Sequence, residues 1–194
     1  MSVETEPEFE TTIELEPASP IVLAIYTSPG MGEPMEYHDS ILAIAGEGLE
    51  GDRYKRRGAW SEERTGVPGR RPDDDRQVTF ISSVGIEEAN KELEALGKEP
   101  FEPQFTRRNI VVSMSPEHLS ALNGKGFMVG DVLMEGTYLC TPCTRPAMVS
   151  GRGLEVGKAF ERAFQGRGGL GARIKDTRMI HVGDKITILP QIKR

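Results

Sequence analysis

Cysteine and histidine are scarce in this chain: 194 residues hold two cysteines and three histidines. Two thiols cannot make the disulfide framework that staples small secreted domains, so a reducing cytoplasm is the expected compartment. A structural zinc site takes about four ligands; the cysteine pair supplies two, and His38, His118 and His181 lie far apart in sequence. No apolar run approaches the roughly 20 residues that cross a bilayer, and the acidic N-terminus is unlike a secretory leader. Membrane partners are therefore not expected. A basic excess is missing too. Glu4, Glu6, Glu8, Glu10, Glu14 and Glu16 account for the whole net charge of −6, and residues 17–194 are formally neutral. That balance excludes a general nucleic-acid binder, which carries a basic surplus. Clustered arginines in a neutral body still suit a local anion pocket.

What remains is an ordinary globular composition, 37% hydrophobic and 28% charged. A chain of this length buries roughly 70% of its unfolded surface without staples. Residues 1–19, Glu-rich and interrupted by proline, read as a disordered tail; residues 20–194 read as a single domain. Ile21 to Tyr26 and Ile41 to Ala45 suit buried strands, and Gln77 to Ile81 alternates as a strand does. Ile86, Ala89, Leu93 and Leu96 share a helical face that Gly97 ends. A strand is expected from Phe105 to Val112, then a short helix capped by Ser115 with Pro116 in its first turn. Gly130-Asp131 and Gly183-Asp184 each look like a tight turn leading into a strand. Val156, Phe160, Ala163 and Phe164 mark another amphipathic helix. Residues 55–75 are charged and turn-rich, as expected of a mobile flap over a site. Strands outnumber helices without strict alternation, so the expected class is mainly β with a few helices, barrel-like.

Both cysteines fall in Cys140-Thr141-Pro142-Cys143. A thioredoxin-type pair would open a helix in a strand–helix unit, and Pro142, Pro146, Gly151 and Gly153 argue against a helix here. If the strand through Tyr138 continues, positions 140 and 143 face opposite ways. Cys140 then reads as a small buried hydrophobe and Cys143 as the working thiol, since guanidinium neighbours favour the reactive thiolate. Arg107-Arg108-Asn109 and the glycine-rich Gly166 to Gly171 could each face an anion, the latter through backbone N–H groups. That loop lacks the Lys-Ser/Thr ending of a P-loop. Ser82-Ser83 has no paired base in sequence, so nothing supports a serine hydrolase.

Taken in order, these motifs resemble the MOSC domain, named after the C-terminal domain of molybdenum-cofactor sulfurases. Gly48-Leu49-Glu50-Gly51-Asp52-Arg53 resembles the family's early glycine motif, and Gln77 to Ile81 its next strand. Phe105 to Val112 resembles its arginine-asparagine strand, Thr141-Pro142-Cys143 its Pro-Cys site, and Arg167-Gly168-Gly169-Leu170 with Val182-Gly183-Asp184 its closing segment. Tyr54 stands where many members have histidine, and Ser82-Ser83 where an acidic residue is common. The resemblance implies a β-barrel-like fold that binds the molybdenum cofactor, molybdopterin, with Cys143 as metal ligand and catalytic residue. Guanidinium groups bind phosphate and stack on planar rings, so Arg108, Arg145 and Arg167 would hold the cofactor with Gly168 and Gly169. Asn109 could meet the pterin edge. The chain is too short for a pyridoxal-phosphate sulfurase domain, so it resembles the stand-alone bacterial type, linked to reduction of N-hydroxylated small molecules by electrons from a separate protein. A cofactor or persulfide carrier using Cys143 and fed by a sulfur donor remains open, as does an interaction domain with no active cofactor site.

Overall fold

The computed structural model describes residues 19–55 and 76–190. The expected tail at 1–19 and flap at 55–75 lie almost wholly outside the described residues. Eight strands form one sheet in the order β11-β7-β8-β9-β5-β6-β1-β2, and β10-β3-β4 form a smaller one. The large sheet contains β1 (Val22–Thr27), β2 (Glu36–His38), β5 (Val78–Ser82), β6 (Ile110–Val112), β7 (Gly126–Val129), β8 (Val132–Leu139), β9 (Leu170–Ile174) and β11 (Ile186–Ile188). The small one contains β3 (Ser40–Ile44), β4 (Gly48–Leu49) and β10 (Arg178–His181). Four α-helices accompany them among the described residues: α1 (Ser83–Ala95), α2 (Pro116–Ser120), α3 (Arg145–Val149) and α4 (Gly153–Ala163).

The large sheet curls until its first strand meets its seventh. Ile21 bridges Lys185, Val22 N–H donates to Asp184 O at 2.9 Å, and Ile186 N–H donates to Pro20 O at 2.7 Å. This contact covers the open side of β11 and the start of β1 that β2 does not reach, where backbone groups would otherwise go unpaired. The barrel-like, mainly β expectation is the observed fold.

Strand alternation sorts the side chains into two cores. Phe80, Ile110 and Val112 point into the barrel with Phe127, Met134 and Leu170. Ile81 and Val111, one step out of phase, point outward to Ile86, Ala89 and Leu93 of α1 and Phe160 and Ala163 of α4. Helices therefore cover the far face of β5, and all five of its residues are buried. Of these, Val78, Phe80 and Ile81 each contribute roughly 1.5–3 kcal/mol by burial. Phe160 stacks on Phe164 at 4.1 Å and meets Phe101 at 4.6 Å, closing the outer core. Ser82 ends β5 and caps α1, accepting from Gly85 N–H at 2.9 Å while donating to Met114 O. Its hydroxyl is thus fully occupied by structure.

Three local expectations need correction. The segment expected as a strand from Phe105 begins instead as a 3-10 turn, Pro103–Thr106, with Arg107 left-handed at φ 64°; the strand starts at Ile110. Proline suits the first turn of a helix, and the Thr106 hydroxyl closes that turn by donating to Pro103 O at 2.6 Å. The stretch after Cys143, expected to resist helix, forms α3 with Pro146 in its first turn, where the missing N–H has no intrahelical partner to lose. Leu170 and Gly171, expected in an open loop, begin β9.

Candidate functional site

A cavity of about 260 Å³ opens where the ends of several elements meet, and five arginines line it: Arg53, Arg76, Arg107, Arg108 and Arg145. Cys143 lies on the same wall, with Thr141 and Pro146 beside it. No carboxylate is among the described lining residues. Strand β8 stops at Leu139, so Cys143 sits on an irregular link between β8 and α3, and Arg145 is the first residue of α3. Cys140 is buried and Cys143 exposed, as expected. The cause is the end of the strand rather than alternation continued through it.

Four of these five arginines are held by contacts within the fold. Arg108 Nε–H donates to Gly168 O at 2.8 Å. Arg107 donates through its terminal nitrogens to Glu33 O and, at 3.1 Å, to Ser28 Oγ. Its Nε is buried with no partner, and it is the one described non-glycine residue with positive φ. Burial above all, then the charges of Arg53 and Arg145, lower its pKa to about 10. A strained, partly unpaired cation beside two like charges is an arrangement that an anion relieves.

Arg53 and Arg76 stand with two phenols. The Arg53 guanidinium lies 4.6 Å from the Tyr54 ring and donates to its hydroxyl at 3.0 Å. Arg76 lies 5.8 Å from the Tyr54 ring and 5.0 Å from that of Tyr138, and its Nε–H donates to the Tyr138 hydroxyl. Burial first, then Cys140, push the Tyr138 hydroxyl above its usual value, against the pull of Arg76.

A buried polar knot fixes the backbone beneath these side chains. Asp52 accepts from Ser28 N–H at 3.0 Å, Tyr54 N–H at 2.9 Å and Asn109 Nδ2 at 3.0 Å. Asn109 Oδ1 accepts from Thr79 N–H at 3.1 Å and Thr79 Oγ1 at 2.8 Å, and Nδ2 also donates to Tyr26 O at 3.1 Å. The knot joins the segment before β6 that carries Arg107 and Arg108 to the turn that carries Arg53 and Tyr54. Burial without competing water makes these bonds directional and strong.

The expected site residues thus divide. Cys143, Arg108 and Arg145 line one cavity. Asn109 lies beneath it with both amide hydrogens and its oxygen engaged. Arg167 is turned to α1, donating to Glu88 at 3.0 Å, Glu92 at 2.8 Å and Ala163 O at 2.7 Å. Gly168 and Gly169 pack rather than line: a Cβ on Gly168 would stand 1.9 Å from Cys140 O, and one on Gly169 2.0 Å from Phe80 O. Both are nonetheless tied to the site, because Gly168 O anchors Arg108 and Gly169 O accepts from Cys140 N–H at 2.8 Å. The sequence points to Arg107 only as part of the Arg107-Arg108-Asn109 run and to Tyr54 only as a departure from the family pattern, and it does not mark Arg53 or Arg76 as site residues. Arg53 ends a recognised motif and could have been found; Arg76 follows a charged stretch and carries no such signal.

The chemistry of the cavity suits a ligand with an oxyanion at one end and a soft metal or sulfur centre at the other. Guanidinium groups supply forked donors to phosphate, and a thiolate is a soft ligand. On that donor set the residues fit a pterin cofactor that bears a phosphate and a sulfur-bound metal.

A family model described as "MOSC domain" matches residues 55–187. Among solved structures, the YuaD protein from Bacillus subtilis superposes with a TM-score of 0.70 at 18% identity, over 88% of this chain and 95% of that one. YiiM from Escherichia coli gives 0.59 at 12% identity, over 89% and 71%. YiiM from Geobacillus stearothermophilus gives 0.58 at 12%, over 88% and 75%. No curated protein sequence matches this chain.

Proposed function

We propose, on the premise that the chain belongs to the MOSC domain family, that its arginine-lined cavity binds a molybdenum-bearing pterin and that Cys143 ligates the metal. The observation that carries this reading is the exposed Cys143 thiol sharing a wall, free of carboxylates among its described residues, with Arg107, Arg108 and Arg145. Those three guanidinium groups would hold the phosphate through their forked N–H donors. Arg108 is pre-aimed by Gly168 O, so little side-chain freedom is lost on binding.

The reaction that fits is two-electron reduction of an N–O bond in an N-hydroxylated small molecule, with electrons from a separate donor protein. When bound, the metal centre supplies the redox chemistry. The chain's own residues orient the cofactor, and their positive charge favours anionic ligands. Localisation in the cytoplasm belongs to the same reading; no described helix is long and apolar enough to cross a membrane.

Metal analysis of protein purified from a host that makes the cofactor tests the proposal. Molybdenum should copurify with the wild type and fall sharply in Cys143→Ala. Its absence from the wild type, or equal content in both, would rule out Cys143 as ligand. The exposure of Cys143 also favours a second reading, a sulfur carrier that a donor protein can reach. A persulfide mass on Cys143 without reduction of hydroxylamine or amidoxime substrates would select the carrier.

A further inference from the structure

The positive charge around this cavity exceeds what one phosphate needs. A phosphate monoester brings about two negative charges, whereas five guanidinium groups face the space. The buried carboxylate of Asp52 offsets one of these charges at most, and its oxygens already accept from the N–H groups of Ser28, Tyr54 and Asn109. The arginines also fall into two sets. Arg107 and Arg108 form one, anchored through Glu33 O, Ser28 Oγ and Gly168 O, whereas Arg53 is bonded to the Tyr54 hydroxyl. Arg76 stands apart between the rings of Tyr54 and Tyr138, which raise its pKa after burial has pulled it down.

Arg53, Tyr54 and Arg76 make a ladder of guanidinium groups and a phenol along the wall, and Tyr138 backs it by accepting from Arg76. Cations over ring faces gain roughly 0.5–2 kcal/mol each. The stacking fixes the guanidinium planes, and one N–H of each is bonded to a phenol hydroxyl. An arginine has five N–H donors in a rigid fork, so edges remain for a ligand.

Resting on the reading that the cavity takes an anionic cofactor, we propose that the Arg53–Tyr54–Arg76 ladder is a second oxyanion subsite. It takes a phosphate or carboxylate group additional to the cofactor's terminal phosphate. That group comes either from a diphosphate within an extended cofactor or from an anionic substrate. Tyr54 is the positioning residue, because its ring is the element that Arg53 and Arg76 share.

Calorimetric titration of the full-length, cofactor-free protein with inorganic phosphate and with pyrophosphate tests this. Pyrophosphate should bind about tenfold or more tightly than phosphate, a difference of about 1.4 kcal/mol. Tyr54→Ala and Arg76→Gln should each abolish most of that preference while phosphate affinity stays within about twofold. Tyr54→Phe, which keeps the ring face, should retain it. Equal affinity for the two anions, equal weakening of both in the variants, or loss of the preference in Tyr54→Phe would overturn the proposal. Far-UV circular dichroism of each variant separates a lost subsite from a lost fold. A chain that prefers pyrophosphate yet carries no molybdenum would defeat the cofactor reading and leave this one standing; the opposite pair of results defeats only the subsite. The mass of cofactor released from loaded protein then names the source. A nucleotide-extended pterin assigns the subsite to the cofactor, and a monophosphate assigns it to the substrate.

Discussion

Replacing Asn109 by aspartate changes one amide into a carboxylate of the same shape, and the structure says what that should cost. Asn109 Nδ2 is 3.0 Å from Asp52 Oδ2, inside a buried knot. Two carboxylates at that separation repel by about 5 kcal/mol at an effective dielectric of about 20. The pair can escape by holding a proton. At pH 7 that limits the loss to about 1.4 kcal/mol for each unit above an unfolded Asp value of about 3.9, or about 4 kcal/mol. Losing the donor to Tyr26 O adds about 1–2 kcal/mol at any pH. The sign follows from linkage. A folded-state pKa raised above the unfolded one makes the native state bind more protons, so stability falls as pH rises from the unfolded value towards the folded one. Urea unfolding followed by far-UV circular dichroism should therefore show Asn109→Asp destabilised by about 5 kcal/mol at pH 7 and by only about 1–2 kcal/mol at pH 4. Asn109→Ala supplies the comparison: it loses the same donor without adding a second carboxylate, so its loss should vary with pH less than that of Asn109→Asp. A pH-independent difference for Asn109→Asp, or wild-type stability at pH 7, would refute the Asp52–Asn109 contact and the account of how the site's backbone is held.

Gly168→Ala should lower stability by about 1–3 kcal/mol, since its Cβ would meet a backbone oxygen, and should weaken phosphate binding by displacing the Arg108 anchor. Unchanged melting and binding would show that the close approach at Cys140 O is absent. Arg167→Gln should cost at most about 1 kcal/mol, because Glu88 and Glu92 are partly exposed; phosphate titration should be unaffected, and a large loss of affinity would return Arg167 to the site. The hydrogen bond from Lys175, followed by its charge and that of Arg173, holds the Glu135 carboxyl below the usual carboxylate range. This surface pair therefore adds at most about 1 kcal/mol, present above the unfolded pKa and lost as pH falls through the folded one. Lys175→Met should move the Glu135 carboxyl resonance titration upward in an NMR series; an unmoved titration would remove that pair from the account.

Much of this architecture is written in local pattern. Period-2 alternation places Phe80 and Ile81 on opposite faces of β5, and the helical spacing of Ile86, Ala89 and Leu93 marks the face that covers Ile81. Ser115-Pro116 begins a helix because the hydroxyl caps it, accepting from His118 N–H at 3.3 Å. Such signals act within a few residues and need no knowledge of the rest of the chain. The left-handed turn at Arg107 was not legible. Its conformation accompanies hydrogen bonds to Glu33 O and Ser28 Oγ, more than seventy residues away in sequence. Arg167 and Asn109 likewise read as ligand-facing because arginine and asparagine suit such ligands. Only packing shows that α1 occupies one and that Thr79, Tyr26 and Asp52 occupy the other.

The sequence by itself determined the secondary pattern, the mainly β class, the resemblance to a family and the separation of a buried Cys140 from an exposed Cys143. Tertiary structure decided which charges share a cavity. Curling the sheet brought Arg53, Arg76, Arg107, Arg108 and Arg145 around Cys143 from turns spread over some ninety residues. Hydrophobic patterning sets which face of an element is buried, but a charged side chain's neighbours depend on where the ends of distant strands meet. That is a property of the curled sheet as a whole and of no single segment.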